Sequence, residues 1–281
     1  KEFILLGPGS TDLLEKTAIV QFHRGGNVVS ADPAYMSLIK TALAFDAEWK
    51  RVPLLDDYAH DLDRMAGVID EETQLVYICN PNNPTGTITP ADKLRRFCAA
   101  ASERAPVFVD EAYLEFLDDP AGTSMVDLVH KGKDVIISRT FSKIHGMAGL
   151  RIGYIVAQPA RIERLSSMVR GTMGLCITSL RGAIASLEDT DFQLNSRQWT
   201  ADARAYVYGQ LEKMGFEYIP SHTSFILFPI DMPGKKFLEK MYAEGVGVRA
   251  FEIDGRPYCR VSMGTEEELA LFAASLKKVL A

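Results

Sequence analysis

The chain has 281 residues, is 47% hydrophobic, and carries 31 Lys and Arg against 37 Asp and Glu for a net charge of −6, the composition of an ordinary globular protein with room for a large core. Charges of both signs are spread along it, which excludes a basic face for nucleic acid and a polybasic segment for a membrane. The apolar runs stop short of the roughly 18 residues of a membrane span, and Cys79, Cys98, Cys176 and Cys259 show neither a CxxC pair nor metal-ligand spacing, so reduced thiols, no metal and a cytoplasmic location are expected.

The chain opens on Lys1-Glu-Phe-Ile-Leu-Leu, entering a strand with neither an initiator Met nor a signal-peptide pattern, and an amino-terminal segment beyond it is expected. Apolar runs then alternate with amphipathic stretches, the pattern of βαβ units and a mostly parallel sheet. Residues 3–6 predict a strand, 7–11 a Gly-Pro-Gly-Ser-Thr turn and 12–22 a helix. Further strands are predicted at 27–30, 48–52, 75–79, 107–109 and 135–137, with helices at 35–45 and 90–102. The continuously apolar 107–109 and 135–137 fit strands covered on both faces. Residues 152–156 predict a strand that runs antiparallel, because little chain separates it from residue 137.

From about residue 159 the character changes. A long helix is predicted at 191–214, then a strand at 224–228, a helix at 234–244, strands at 246–249 and 258–262, and a helix at 265–280. Thr265 is the expected N-cap of the last, with Glu266, Glu267 and Glu268 at its positive end and Lys277 and Lys278 at its negative end. The order predicts an α/β fold of a large domain, residues 1–190, and a smaller α+β domain, residues 191–281.

Lys143 stands in Ser138-Arg-Thr-Phe-Ser-Lys-Ile-His-Gly-Met-Ala-Gly-Leu-Arg-Ile-Gly-Tyr154. A lysine attacks a carbonyl only as the neutral amine, so a covalent catalyst needs a nearby cation or a dry pocket, and here Arg151 follows eight positions later. The same segment also reads as a surface lysine after a buried strand. Asn80-Pro-Asn-Asn-Pro-Thr-Gly86 makes an irregular turn at a strand's carboxyl end, where open α/β sheets bind ligands. Val107-Phe-Val-Asp110-Glu-Ala-Tyr113 places an acid directly after a strand with a tyrosine three residues on, suited to a pyridine nitrogen and its ring oxygen or, alternatively, to a helix N-cap. Gly7-Pro-Gly-Ser-Thr11 opens a helix whose N–H groups suit an anion.

Together with Arg260-Val-Ser-Met-Gly-Thr265, these motifs resemble the fold-type I pyridoxal-phosphate-dependent aminotransferases over nearly the whole chain, and within them the histidinol-phosphate aminotransferase branch. The resemblance implies pyridoxal 5'-phosphate as cofactor, with Lys143 as Schiff-base lysine and proton carrier, Asp110 on the pyridinium nitrogen, and Asn83 and Tyr113 on the ring's 3-oxygen. It implies Thr140, Ser142, Arg151, Ser10 and Thr11 as the phosphate site, Tyr35 stacked on the ring, and Arg260 and Arg249 on the substrate's anionic group. It implies a small-molecule amino donor and a 2-oxo acid as partners, and a homodimer. Other amino-acid transaminases, lyases or decarboxylases and cofactor-sensing regulators share the pattern. The family's amino-terminal arm has no counterpart before Lys1, the stretch 168–179 matches poorly so that any subunit-crossing phosphate contact there stays unassigned, and His145 stands where relatives often have an aromatic or apolar residue, with packing its expected role.

Overall fold

A computed structural model describes residues 1–168 and 174–280. The elements are β1 Ile4–Gly7, α1 Ser10–Phe22, β2 Asn27–Asp32, α2 Ser37–Leu43, β3 Glu48–Pro53, α3 Leu62–Val68, β4 Thr73–Cys79, α4 Ala91–Ala101, β5 Val107–Asp110, α5 Pro120–Thr123, α6 Val126–His130, β6 Val135–Thr140 and β7 Gly153–Val156. They continue with α7 Pro159–Met168, α8 Ile177–Glu188, α9 Thr190–Lys213, β8 Phe225–Pro229, α10 Gly234–Ala243, β9 Arg249–Ile253, β10 Arg256–Ser262 and α11 Glu266–Leu280.

The first sheet has seven strands in the order β1-β7-β6-β5-β4-β2-β3. Its β3, β2, β4, β5 and β6 run parallel, and β7 runs antiparallel to both neighbours, as the short link after β6 requires. Alternation along the strands sends Tyr77, Phe108 and Ile136 into one core with α1 and α2, and Val76, Ile78, Val107, Val109 and Ile137 into a second core with α3, α4 and α6. Both faces are therefore covered, which is why these strands read as unbroken apolar runs.

The second sheet, β8-β10-β9, is antiparallel. Ile226, Phe228, Cys259 and Val261 point to one face and pack on α9, α10 and α11 through Val207, Phe237, Met241 and Phe272. Period-2 alternation turns Tyr258 and Arg260 to the other face, toward the seven-stranded sheet. Among the described residues no helix is long and apolar enough to cross a membrane.

Thr265 caps α11 reciprocally: its Oγ1 accepts from Glu268 N at 3.3 Å and its own N–H donates to Glu268 Oε2 at 2.8 Å. Two expectations need correction. The helix predicted at 35–45 is shorter, Ser37–Leu43, leaving Tyr35 in the connection that follows Pro33. The strand predicted at 246–249 begins only at Arg249, because Gly245 (φ 81) reverses the chain and Val246 N–H donates to Met241 O at 3.0 Å, closing α10 rather than joining the sheet. The helices α3, α5, α6, α7 and α8 carry no counterpart in the predicted set. α3 is short, starting where Asp61 accepts from Arg64 N at 3.0 Å, and α8 leaves Ile177, Ile184 and Leu187 exposed, so neither shows a plain amphipathic stripe.

Candidate active site

One cavity of about 540 Å³ opens over the carboxyl ends of β2, β4, β5 and β6, and every residue that the sequence resemblance assigns to cofactor or substrate lines it. Ligand crevices of open α/β sheets lie at this end. A second cavity of about 590 Å³, lined by Tyr58, His222, Arg256 and Tyr258 among others, holds none of those residues.

Asn83 enters from the turn after β4. The rest of that turn ties itself down: Asn80 Oδ1 accepts from Thr89 N (2.8 Å), Asn82 Nδ2 donates to Thr85 Oγ1 (3.0 Å), and Gly86 O accepts from His222 N (2.7 Å). Asn83 Oδ1 is left to accept from Arg260 Nη1 at 2.6 Å, which joins the second sheet to the first across the cavity. Arg260 also lies over the rings of Phe225 (4.7 Å) and Phe251 (5.4 Å). Its cross-strand partner on β9 is Arg249, so two guanidinium residues stand side by side with no ion pair among the described residues.

Asp110 closes β5 and no helix begins there, which removes the N-cap alternative. Its carboxylate is buried and Oδ1 has no hydrogen-bond partner among the described residues. Burial raises its pKa to about 7, opposed by the nearby Lys143 ammonium. Tyr113, buried edge-on against Phe225 (5.1 Å between centroids), has its phenol pushed up by burial.

Lys143 sits in the turn after β6 with Nζ 5.1 Å from the centre of the Tyr113 ring. Burial lowers its pKa most; Arg260 lowers it next, Asp110 opposes, and Arg151 and Arg249 lower it further. The surface-lysine alternative is thereby excluded: the amine is largely withdrawn from solvent and faces cations. Arg151 has φ 48 and reaches back with Nη1 to Ala148 O (2.8 Å) and Ser142 Oγ (3.4 Å), and with Nη2 to Pro8 O (3.3 Å). It thus spans the start of α1 and the turn after β6. Thr140 Oγ1 accepts from Ser142 N at 3.1 Å, and Thr11 Oγ1 lies 3.2 Å from Tyr35 Oη.

The sequence reading missed Ser37, Lys40 and Phe251, which also line the cavity. None belongs to a motif; Phe251 could have been found only by placing β9 two residues further on, where it shares a face with Arg249. His145 does not line the cavity: it is buried, its Nδ1 is 2.8 Å from Ser186 Oγ, and its ring lies 4.7 Å from Phe141, a packing role as expected. Of the poorly matching stretch 168–179, positions 169–173, and any phosphate contact they make, lie outside the described residues.

The family "Aminotransferase class I and II" matches residues 1–276. The histidinol-phosphate aminotransferase 2 of Ralstonia nicotianae is 36% identical over 99% of this chain and 75% of its own length. The histidinol-phosphate aminotransferase 1 of Cupriavidus pinatubonensis is 36% identical over 100% of this chain and 75% of its own. Among solved structures, the histidinol-phosphate aminotransferase of Sinorhizobium meliloti, in complex with pyridoxal-5'-phosphate, superposes with a TM-score of 0.91 at 26% identity, covering 99% of this chain and 77% of that one.

The cavity fits that cofactor on its own geometry. Asp110 Oδ1 is a buried carboxylate oxygen lacking a partner, as a protonated ring nitrogen requires. Gly9 has φ 91, and a Cβ there would stand 2.5 Å from Arg151 Nη2, so this glycine keeps the guanidinium beside the N–H groups that open α1. The chain belongs to the class I and II aminotransferases and is a pyridoxal-phosphate-dependent aminotransferase.

Proposed function

We propose that the enzyme moves the amino group of histidinol phosphate to 2-oxoglutarate, giving glutamate, the activity that the names of its relatives suggest. The observation that carries this reading is the charge of the cavity. Arg151, with the hydroxyls of Ser10, Thr11, Thr140 and Ser142, accounts for the cofactor's phosphate. Arg260 and Arg249 remain, paired in register and matched by no carboxylate among the described residues. A guanidinium forks onto phosphate or carboxylate with similar geometry, so the pair serves a phosphate monoester in one half-reaction and a dicarboxylic oxo acid in the other.

The residues then divide the work. Bound cofactor supplies the aldehyde that takes up the amino group and a ring that draws electrons from the substrate's Cα. Asp110 would hold a proton on the ring nitrogen, Asn83 and Tyr113 would hold the ring's 3-oxygen, and Tyr35 would pack on the ring. Lys143, whose burial and whose neighbour Arg260 both favour the neutral amine, would take the proton from Cα and deliver it to the cofactor's C4′.

The same proposal includes a cytoplasmic homodimer built from lobes at residues 1–190 and 191–281. Support for a partner subunit comes from α8 and α9, where Ile177, Ile184, Leu187 and Trp199 are each more than half exposed.

With 2-oxoglutarate as acceptor, kcat/KM for histidinol phosphate is expected to exceed that for phenylalanine by about a hundredfold or more, since paired guanidiniums left without their anion are costly. Equal turnover of the two, or a preference for phenylalanine, identifies an aromatic transaminase instead.

A further inference from the structure

We infer that Phe251 is a positioning residue of this cavity: its ring, together with that of Phe225, holds the guanidinium of Arg260 ready for the substrate's anionic group. This rests on the anion-binding role proposed above for Arg260. Arg260 sits on the middle strand of the second sheet, level with Leu227 on β8 and Arg249 on β9. Two residues away along each outer strand, on the same face, stand Phe225 and Phe251. Phe225 is level with Ser262 and Phe251 with Tyr258, so the two residues flank Arg260 diagonally, one from each side. The guanidinium carbon lies 4.7 Å from the centre of the Phe225 ring and 5.4 Å from that of Phe251. Both distances fall inside the roughly 6 Å over which an aromatic face attracts a cation.

Arg260 needs such a support. It is partly buried and forms no ion pair among the described residues, and its Nε is buried with no hydrogen-bond partner among them. Its neighbour Arg249 carries the same charge, and like charges push apart while the cavity lacks an anion. Against that repulsion stand the bond from Nη1 to Asn83 and the two rings. The rings are not equivalent. Phe225 is 2% exposed and packs edge-on against Tyr113, so it belongs to the core between the two sheets. Phe251 is half-buried, lines the cavity and packs on a cluster that includes Tyr258. An arginine already held in place spends none of the anion's binding energy on being ordered, so the Phe251 ring acts on affinity for the anion. A ring that merely packed on Tyr258 would act on stability instead.

The test compares Phe251→Leu, which keeps apolar bulk without a ring, with Phe251→Tyr, which keeps the ring, and repeats Phe251→Leu in an Arg260→Gln background. In cofactor-loaded enzyme, Phe251→Leu is expected to raise KM for 2-oxoglutarate and for histidinol phosphate about tenfold with kcat little changed, and Phe251→Tyr to restore most of the loss. Calorimetric titration with 2-oxoglutarate should show the same weakening in Kd. In Arg260→Gln the added Phe251→Leu should move KM by less than about twofold, because a ring that acts through Arg260 has nothing left to hold. A tenfold rise that persists in Arg260→Gln means that the ring touches the substrate itself. An unchanged KM in Phe251→Leu, with or without a lowered melting temperature, means that the ring only packs. Either result overturns the inference. If the unaltered enzyme does not accept histidinol phosphate, the proposed substrate fails, and Phe251 is judged on 2-oxoglutarate alone.

Discussion

Lys143→Ala is expected to lower kcat/KM for transamination by about ten-thousandfold, because in the proposed mechanism one substitution removes both the covalent anchor of the cofactor and the base at the substrate's Cα. The turn after β6 sets Nζ over the Tyr113 ring and within the influence of Arg260 and Asp110. Hydride reduction followed by peptide mapping gives a readout besides turnover. The unaltered protein should carry cofactor mass on the peptide containing Lys143, and the variant on no peptide. If Lys143→Ala kept a tenth of the activity, another group would be the base.

Asp110→Asn should separate stability from function. In the protein without cofactor the buried carboxylate holds its proton up to about pH 7, well above the ordinary carboxylate range. The folded state therefore binds more protons than the unfolded one across that window, and stability falls as pH rises through it. Asparagine cannot ionise, so cofactor-free Asp110→Asn is expected to lose this slope and to unfold at a temperature equal to or above that of the unaltered protein at pH 8. The same variant should bind cofactor about a hundredfold more weakly, because the ring nitrogen loses its charged partner, and its turnover should fall with it. A cofactor-free variant clearly less stable than the parent at pH 8 would show that Asp110 is already satisfied by the protein.

How much of this was legible in the sequence depended on how local the cause was. The strands β4, β5 and β6 were readable because a strand covered on both faces needs apolar residues at every position, and Val76, Tyr77, Ile78, Val107, Phe108 and Val109 are all buried. The site was readable for a related reason: Asn83, Asp110 and Thr140 each follow or end one of those strands, so parallel pairing alone brings them to one edge. The antiparallel β7 followed from chain length. What stayed hidden depended on partners distant in sequence or on weak local patterns. Lys40 reads as any lysine near a helix end until α2 is seen against the cavity. The start of β9 was set by a turn closing α10, where a glycine at positive φ outweighed the β-branched Val246 and Val248. The bond from Arg260 to Asn83 spans 177 positions and has no sequence signal of its own.

The central claim, that this cavity transfers an amino group from a phosphorylated amine, is tested most directly by a single half-reaction. Cofactor-loaded enzyme would be mixed with histidinol phosphate in the absence of any oxo acid, and the products counted against bound cofactor. The expected result is one equivalent of the oxo product per site, no free ammonia or carbon dioxide, and resumption of turnover only when 2-oxoglutarate is added. Continuous ammonia or carbon dioxide release without an oxo acid would make the protein a lyase or decarboxylase and contradict the account.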